Sequence, residues 1–296
     1  MAGTDPLGSV GRGELDASMV QREVRRFLAE DLGAGDVTTR CTVPSDARTD
    51  AALLAREPCV VAGLDIASAV FSELDPDVRM QPSVCDGARV SRGALVATIS
   101  GRSSPILTGE RVALNLLQHL SGIATATRRY VDEVGGTGVS ISDTRKTTPG
   151  LRAFEKYAVR AGGGRNHRVG LYDAVLIKDN HVAAAGGVAA ALGAVRSAGV
   201  RVPVQIEVDS LEQLSEALEF GIDAVLLDNM RSDTVADAVR LIRAHPKGAG
   251  CWIEASGGIT LTNVRRYAEA GVDTISIGAL THSAPAVDLA LDLVTA

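Results

Sequence analysis

At 296 residues the chain can hold one large barrel or two modest domains, and 46% hydrophobic but only 3% aromatic residues imply a core of Ala, Val, Leu and Ile, as in α/β layers. A net charge of −6 argues against a nucleic-acid partner, which needs a positive face. No basic start precedes an apolar stretch, so no signal peptide is expected; Cys41, Cys59, Cys85 and Cys251 lack metal or redox spacing, which fits a reduced cytoplasmic setting.

The first predicted element is an amphipathic helix capped by Asp16, with Val20, Val24, Phe27 and Leu28 on one face and Gly33 as its stop. After Pro44 come short β-like runs, DAALLA, CVVAG, DVRMQPSV and ALVATIS, separated by Gly, Pro and Asp turns. Leu107 to Val134 reads as a long helix or helix pair, ended by Gly135-Gly136.

A rhythm then sets in. Six β-rich runs follow: VSISDT, DAVLIKDN, VPVQIEV, DAVLLDN, WIEAS and TISIGA. Between the later ones, Ser210 caps a helix over Leu211 to Phe220, Ser232 opens one on Val235, Val239 and Ile242, and Thr262 opens one on Val264 and Tyr267. The apolar run Val182 to Val195, broken by a Gly pair, is too short to span a bilayer and reads as a buried helix with its lead-in loop; no membrane partner is expected. Repeated strand–helix–strand units wind right-handed and predict an α/β barrel of about six parallel strands.

Each strand is apolar and then ends in chemistry: Arg145-Lys146, Lys178-Asp179-Asn180, Glu207-Asp209, Asp228-Asn229, Glu254-Ser256 and Ser276-Gly278. In a parallel barrel all these ends face one rim, where such folds place their active sites. The stretch Arg145 to Arg168 carries seven cations against the single anion Glu155, which points to a small, highly anionic ligand. Arg145, Lys146, Arg168 and Lys178 offer permanent charge for carboxylate or phosphate. For Arg152, Lys156, Arg160 and Arg165 a solvated face is an equal reading. Glu207 and Asp228, on adjacent strands, could share one polyol or one Mg2+ ion; Asp209 reads as a helix cap. The turns Ser256-Gly257-Gly258 and Ile277-Gly278-Ala279 offer backbone N–H groups to a phosphate. His167, beside Arg168 in a Gly-flanked loop, reads as functional, and His119, His181 and His245 as structural. The sequence has no paired-His zinc spacing, no G-x-S-x-G elbow and no G-x-G-x-x-G behind a strand, which weakens metallohydrolase, esterase and dinucleotide readings.

EDLGAGDVTT, GERVALNLLQHLSGIAT, DTRKTTPGLR, GGGRNHRVGLYDAVLIKDNH, IEVDS, LLDN, ASGGI and SIGALTHS together resemble quinolinate phosphoribosyltransferase, from about residue 14 to residue 290. The resemblance implies an N-terminal open α/β sandwich over residues 1–117, to which the tail 281–296 returns, and an incomplete α/β barrel over 118–280. It implies a head-to-tail homodimer. Quinolinate would sit among Thr144, Arg145, His167, Arg168 and Lys178, with Arg111 reaching in from the partner chain. Phosphoribosyl pyrophosphate (PRPP) and Mg2+ would lie beside Lys146, Glu207 and Asp228, the catalytic set, with the 5′-phosphate on the two Gly turns. The rival readings are a phosphoribosyltransferase for another aromatic acid, a non-catalytic phosphate-ligand barrel and a phosphosugar isomerase. Three arginines favour a dicarboxylate over a monocarboxylate; carboxylates beside phosphates disfavour a pure anion binder; and an isomerase needs an acid/base pair without dense arginines.

Overall fold

The computed structural model describes residues 15–294, which pack as two units. Residues 15–128, 148–163 and 283–294 form the sandwich unit, and 129–147 and 164–282 the barrel unit. The sequence places the boundary at 117/118; the packing places it at 128/129, inside a helix, and returns a later stretch, 148–163, to the sandwich.

The sandwich unit opens with α1 (Ala17–Leu32), where the Asp16 carboxylate accepts the N–H of Ser18 at 2.7 Å and Val20, Val24 and Leu28 are buried. There follow α2 (Val37–Thr42), β1 (Arg48–Ala55), β2 (Cys59–Val60), α3 (Leu64–Leu74), β3 (Arg79–Pro82), β4 (Arg89–Val90) and β5 (Leu95–Arg102). The long element is a single helix, α4 (Ser103–Glu133).

The barrel unit begins at β6 (Ser140–Ser142). The chain next visits the sandwich for α5 (Arg152–Ala161), then continues with β7 (Val175–Ile177), α6 (Asp179–Ala185), α7 (Val188–Ala198), β8 (Val204–Val208) and α8 (Leu211–Leu218). Next come β9 (Ala224–Asp228), α9 (Ser232–Ala244), β10 (Trp252–Ser256), α10 (Val264–Glu269), β11 (Thr274–Ser276) and α11 (Ala279–His282). The six strands form one parallel sheet in the order β6-β11-β10-β9-β8-β7. Chain neighbours are sheet neighbours throughout, except that β6 pairs with the last strand instead of with β7. This is the cyclic order of an α/β barrel left open between β6 and β7. Strands β9 and β10 are buried along almost their whole length, as both faces of such a sheet are covered.

The final strand, β12 (Leu289–Val294), pairs antiparallel with β1 and completes the sandwich sheet β12-β1-β5-β3. The segment before it crosses α4 where a Cβ on Gly122 would lie 2.1 Å from the Pro285 carbonyl oxygen. A helix-interior glycine costs roughly 0.5–1 kcal/mol relative to alanine, and here it admits the crossing chain.

Two expectations need correction. Val182 to Val195 is not a buried helix. The pair Gly186-Gly187 splits it into α6, which has no buried residue, and α7, which buries only Val188, Ala191 and Leu192. The cationic island is also divided: Arg152, Lys156 and Arg160 ride on α5 in the sandwich, where Lys156 is buried instead of solvated.

Candidate active site

A cavity of about 230 Å³ opens at the carboxyl ends of the barrel strands. Thr144, Arg145 and Lys146 reach it from the end of β6, and His167 and Arg168 from the loop before β7. Lys178 follows β7, Glu207 and Asp228 close β8 and β9, and Ser256 and Gly257 end β10; all five line the same space. A larger cavity of about 700 Å³ in the sandwich, between α1 and α3, has no cation in its lining and is not a site for an anion.

The open edge of the sheet is where the cationic loop is fixed. Arg165 bridges Ser142 in parallel and donates its N–H to the Ile141 carbonyl at 2.7 Å, so the loop runs alongside β6. Asp143, fully buried, accepts the main-chain N–H of His167 at 2.9 Å and the Asn166 side-chain amide at 2.5 Å. Arg168 donates to the Ala174 carbonyl at 3.0 Å, and Asp173 accepts the N–H groups of Val169 and Gly170. Burial, and then the charge of Arg145, press the Arg168 guanidinium below its ordinary value. Two crowded cations of this kind are poised for an anion.

On the opposite side the Lys178 ammonium meets Glu207 at 2.5 Å. Burial, followed by the Glu207 charge, raises the Asp228 carboxyl above the usual aspartate value, against the pull of Lys178 and Lys146. Asn229 adopts a left-handed φ of 54°, donates its amide to Asp228 at 2.7 Å and its N–H to the Ser256 carbonyl at 2.9 Å. Gly257 lies so close that a Cβ there would fall 2.1 Å from Asn229 Oδ1. The ends of β9 and β10 are therefore interlocked.

Some expected residues lie off the cavity wall. Gly258, Ile277, Gly278 and Ala279 are outside its lining. Ile277 is buried and its N–H already donates to the Ser142 carbonyl at 2.9 Å, extending the ladder between β11 and β6, so it is not open to a phosphate. Gly278 acts by proximity: a Cβ there would stand 2.9 Å from the Lys146 side chain. Arg111 lines a different cavity, of about 450 Å³, within the sandwich unit, with Arg26, His119 and Thr148. His119 bonds to the buried Glu155, His181 accepts the Lys178 N–H through Nδ1, and His245 meets Glu219.

The sequence points to no role for Asp143 or Gln205, and to Asn229 and Glu254 only as polar strand ends at the rim; Asn229 and Glu254 line the cavity, and Glu254 and Gln205 are fully buried. Asp143 directly follows β6, and Glu254 is the middle residue of β10. Nothing in a single sequence distinguishes a strand-end acid that faces inward from one that caps a helix.

Comparison with known proteins agrees across the chain. Residues 36–121 match the model of the quinolinate phosphoribosyl transferase N-terminal domain, and 123–292 that of the C-terminal domain. The nicotinate-nucleotide pyrophosphorylase (carboxylating) of Mycobacterium leprae is 47% identical over 95% of this chain and 98% of its own. The probable enzyme of that name from Bacillus subtilis is 42% identical over 93% of each. Among solved structures, NadC from Streptococcus pyogenes superposes with a TM-score of 0.89 at 39% identity, over 96% of this chain and all of its own.

Proposed function

The chain belongs to the quinolinate phosphoribosyltransferase family, and from that premise we propose that it transfers the phosphoribosyl group of PRPP to quinolinate with loss of carbon dioxide. The products are nicotinate mononucleotide, pyrophosphate and carbon dioxide, a step of NAD biosynthesis. The observation that carries this reading is a single rim cavity in which Arg145, His167, Arg168 and Lys178 converge beside the carboxylates of Glu207 and Asp228. Cations alone would suit any anion; the paired acids beside them suit a sugar centre that becomes positive.

The cations bind and orient the two carboxylates of quinolinate in a site that excludes water, where fixed charges act strongly. Ribose develops oxocarbenium character as pyrophosphate leaves, and Glu207 and Asp228 provide nearby negative charge. The same two groups fit Mg2+: Asp228 is half-buried within reach of the Glu207 charge, an arrangement that a divalent cation would relieve. When bound, Mg2+ would supply positive charge to the departing pyrophosphate. Lys146, close against Gly278, lies on the phosphate side. Decarboxylation follows transfer, because the carbanion left beside the ring nitrogen is stabilised only once that nitrogen is cationic.

The protein acts as a cytoplasmic homodimer in this reading, with Arg111 completing the partner's site. All four cysteines are free thiols, and among the described residues no helix is long and apolar enough to cross a membrane. The direct test supplies quinolinate labelled at the carboxylate next to the ring nitrogen, with Mg2+, with and without PRPP. Nicotinate mononucleotide and labelled carbon dioxide are expected together, and only with PRPP. Carbon dioxide released at a comparable rate without PRPP would overturn the order of steps, and no product with PRPP would overturn the function.

A further inference from the structure

Glu254 has no part in the chemistry above, yet stability alone does not account for it. It lies inside β10, with no exposure to solvent. Gln205, equally enclosed on β8, donates Nε2 to Glu254 Oε2 at 2.8 Å, and His167 Nε2 stands 3.2 Å from that same oxygen. Glu254 Oε1 is buried without a hydrogen-bond partner. Barrel interiors are ordinarily filled by Val, Ile and Leu, and a carboxylate withdrawn from water is costly unless paired and hydrogen-bonded. A leucine would serve the core better.

What the acid does is set by its neighbour. His167 is 8% exposed and lines the cavity. Its backbone is pinned by Asp143, and its ring meets Glu254. Resting on the quinolinate reading, we propose that Glu254 is a positioning residue for acid recognition: it holds the His167 ring in place and keeps it cationic, adding one more positive charge to the wall that receives the substrate carboxylates.

The surrounding charges pull both ways. Arg145, Lys146, Arg168 and Lys178 disfavour another cation, whereas Asp143, Glu207 and Asp228 favour one. Glu254 is the carboxylate that touches the ring through its nitrogen. Burial alone would raise the Glu254 carboxyl. The nearby His167 charge, helped by the hydrogen bond from Gln205, instead holds it below the ordinary range. The attraction is mutual, so the same contact favours the imidazolium.

Glu254→Gln keeps the size and a hydrogen-bond acceptor but removes the charge. At about pH 8, where an ordinary histidine is neutral, the variant should need about tenfold more quinolinate, with kcat and the KM for PRPP changed by less than about twofold. Near about pH 6 the deficit should shrink, because the ring is then protonated without help. An unchanged KM for quinolinate, an equal rise for both substrates or a fall in kcat alone would overturn the proposal. Should the variant not fold, the wild-type chain decides the matter. With ¹⁵N-labelled histidine, and His167 assigned by His167→Asn, both ring nitrogens should carry protons at about pH 7.5; a neutral ring there overturns it. Failure of the wild-type enzyme to make nicotinate mononucleotide would count against the functional reading, and the nitrogen shifts would still decide the Glu254–His167 pair.

Discussion

At the scale of single residues, Asp228 sets function against stability. Burial and the Glu207 charge raise its carboxyl, so the folded state holds that proton more tightly than the unfolded chain does. An acid with a raised folded value favours the fold below its unfolded value and loses that advantage as pH climbs through the folded one. At neutral pH the ionised group is therefore a liability to the empty enzyme. Asp228→Asn keeps the acceptor for the Asn229 amide and removes the charge. The variant should melt at a higher temperature than the wild type in ligand-free calorimetry at neutral pH, while needing at least about thirty-fold more PRPP, from a loss of about 2 kcal/mol. A lower melting temperature would show that the charge is already compensated. Asp228 was legible in the sequence because it ends an apolar strand in a polar group. Asp143 follows β6 in the same way and Glu254 lies within β10, but what distinguishes them is burial, which neighbouring strands impose and one strand's text does not carry.

At the scale of elements, the strand ends are coupled through turns as well as through the sheet. Gly257 and Gly258 look alike in sequence, and both have positive φ, 91° and 62°. Their surroundings differ. A Cβ on Gly257 would strike Asn229 at its amide oxygen and main-chain nitrogen, whereas a Cβ on Gly258 has nothing within 4 Å. Gly258→Ala meets only the backbone penalty of a left-handed residue, roughly 1–2 kcal/mol. Gly257→Ala must also push aside Asn229, which holds Asp228. PRPP titrations of the two variants should show Gly257→Ala the worse by about tenfold or more, a difference of at least ~1.4 kcal/mol; equal defects would dissolve the interlock. The six barrel strands were readable from period and turns, and the caps Asp16 and Ser210 from their side chains, whereas the starts of α4, α9 and α10 lie one to four residues from where the text puts them. Apolar composition alone does not reveal that alanine-rich helices can lie largely outside the core, so the run after Val182 hides its Gly pair as the break between two short helices.

At the scale of the whole molecule, the chain's path is what the sequence conceals. The resemblance implies a sandwich, a barrel and a tail that returns to the sandwich, and β12 does pair with β1, yet α5 also leaves the barrel stretch for the sandwich, a visit that nothing in the chain order announces. Such visits depend on which surfaces remain to be covered. Arg111 raises the same issue between chains. It is exposed on α4 and lines a sandwich cavity with Arg26 and His119, whereas Arg145 and Arg168 line the barrel cavity. If the rim needs a third guanidinium for a dicarboxylate, a head-to-tail partner can provide it, and each site then depends on both chains. Arg111→Ala and Arg145→Ala should each fold and be nearly inactive. Mixed in equal amounts under subunit exchange, half the dimers become hybrids. In each hybrid one site has both mutations and the other neither, so about a quarter of wild-type activity should return. The check is activity alongside native mass spectrometry of the mixture. Hybrids present without recovered activity would mean that Arg111 serves its own chain, and the proposed division of the pocket between two subunits would fall.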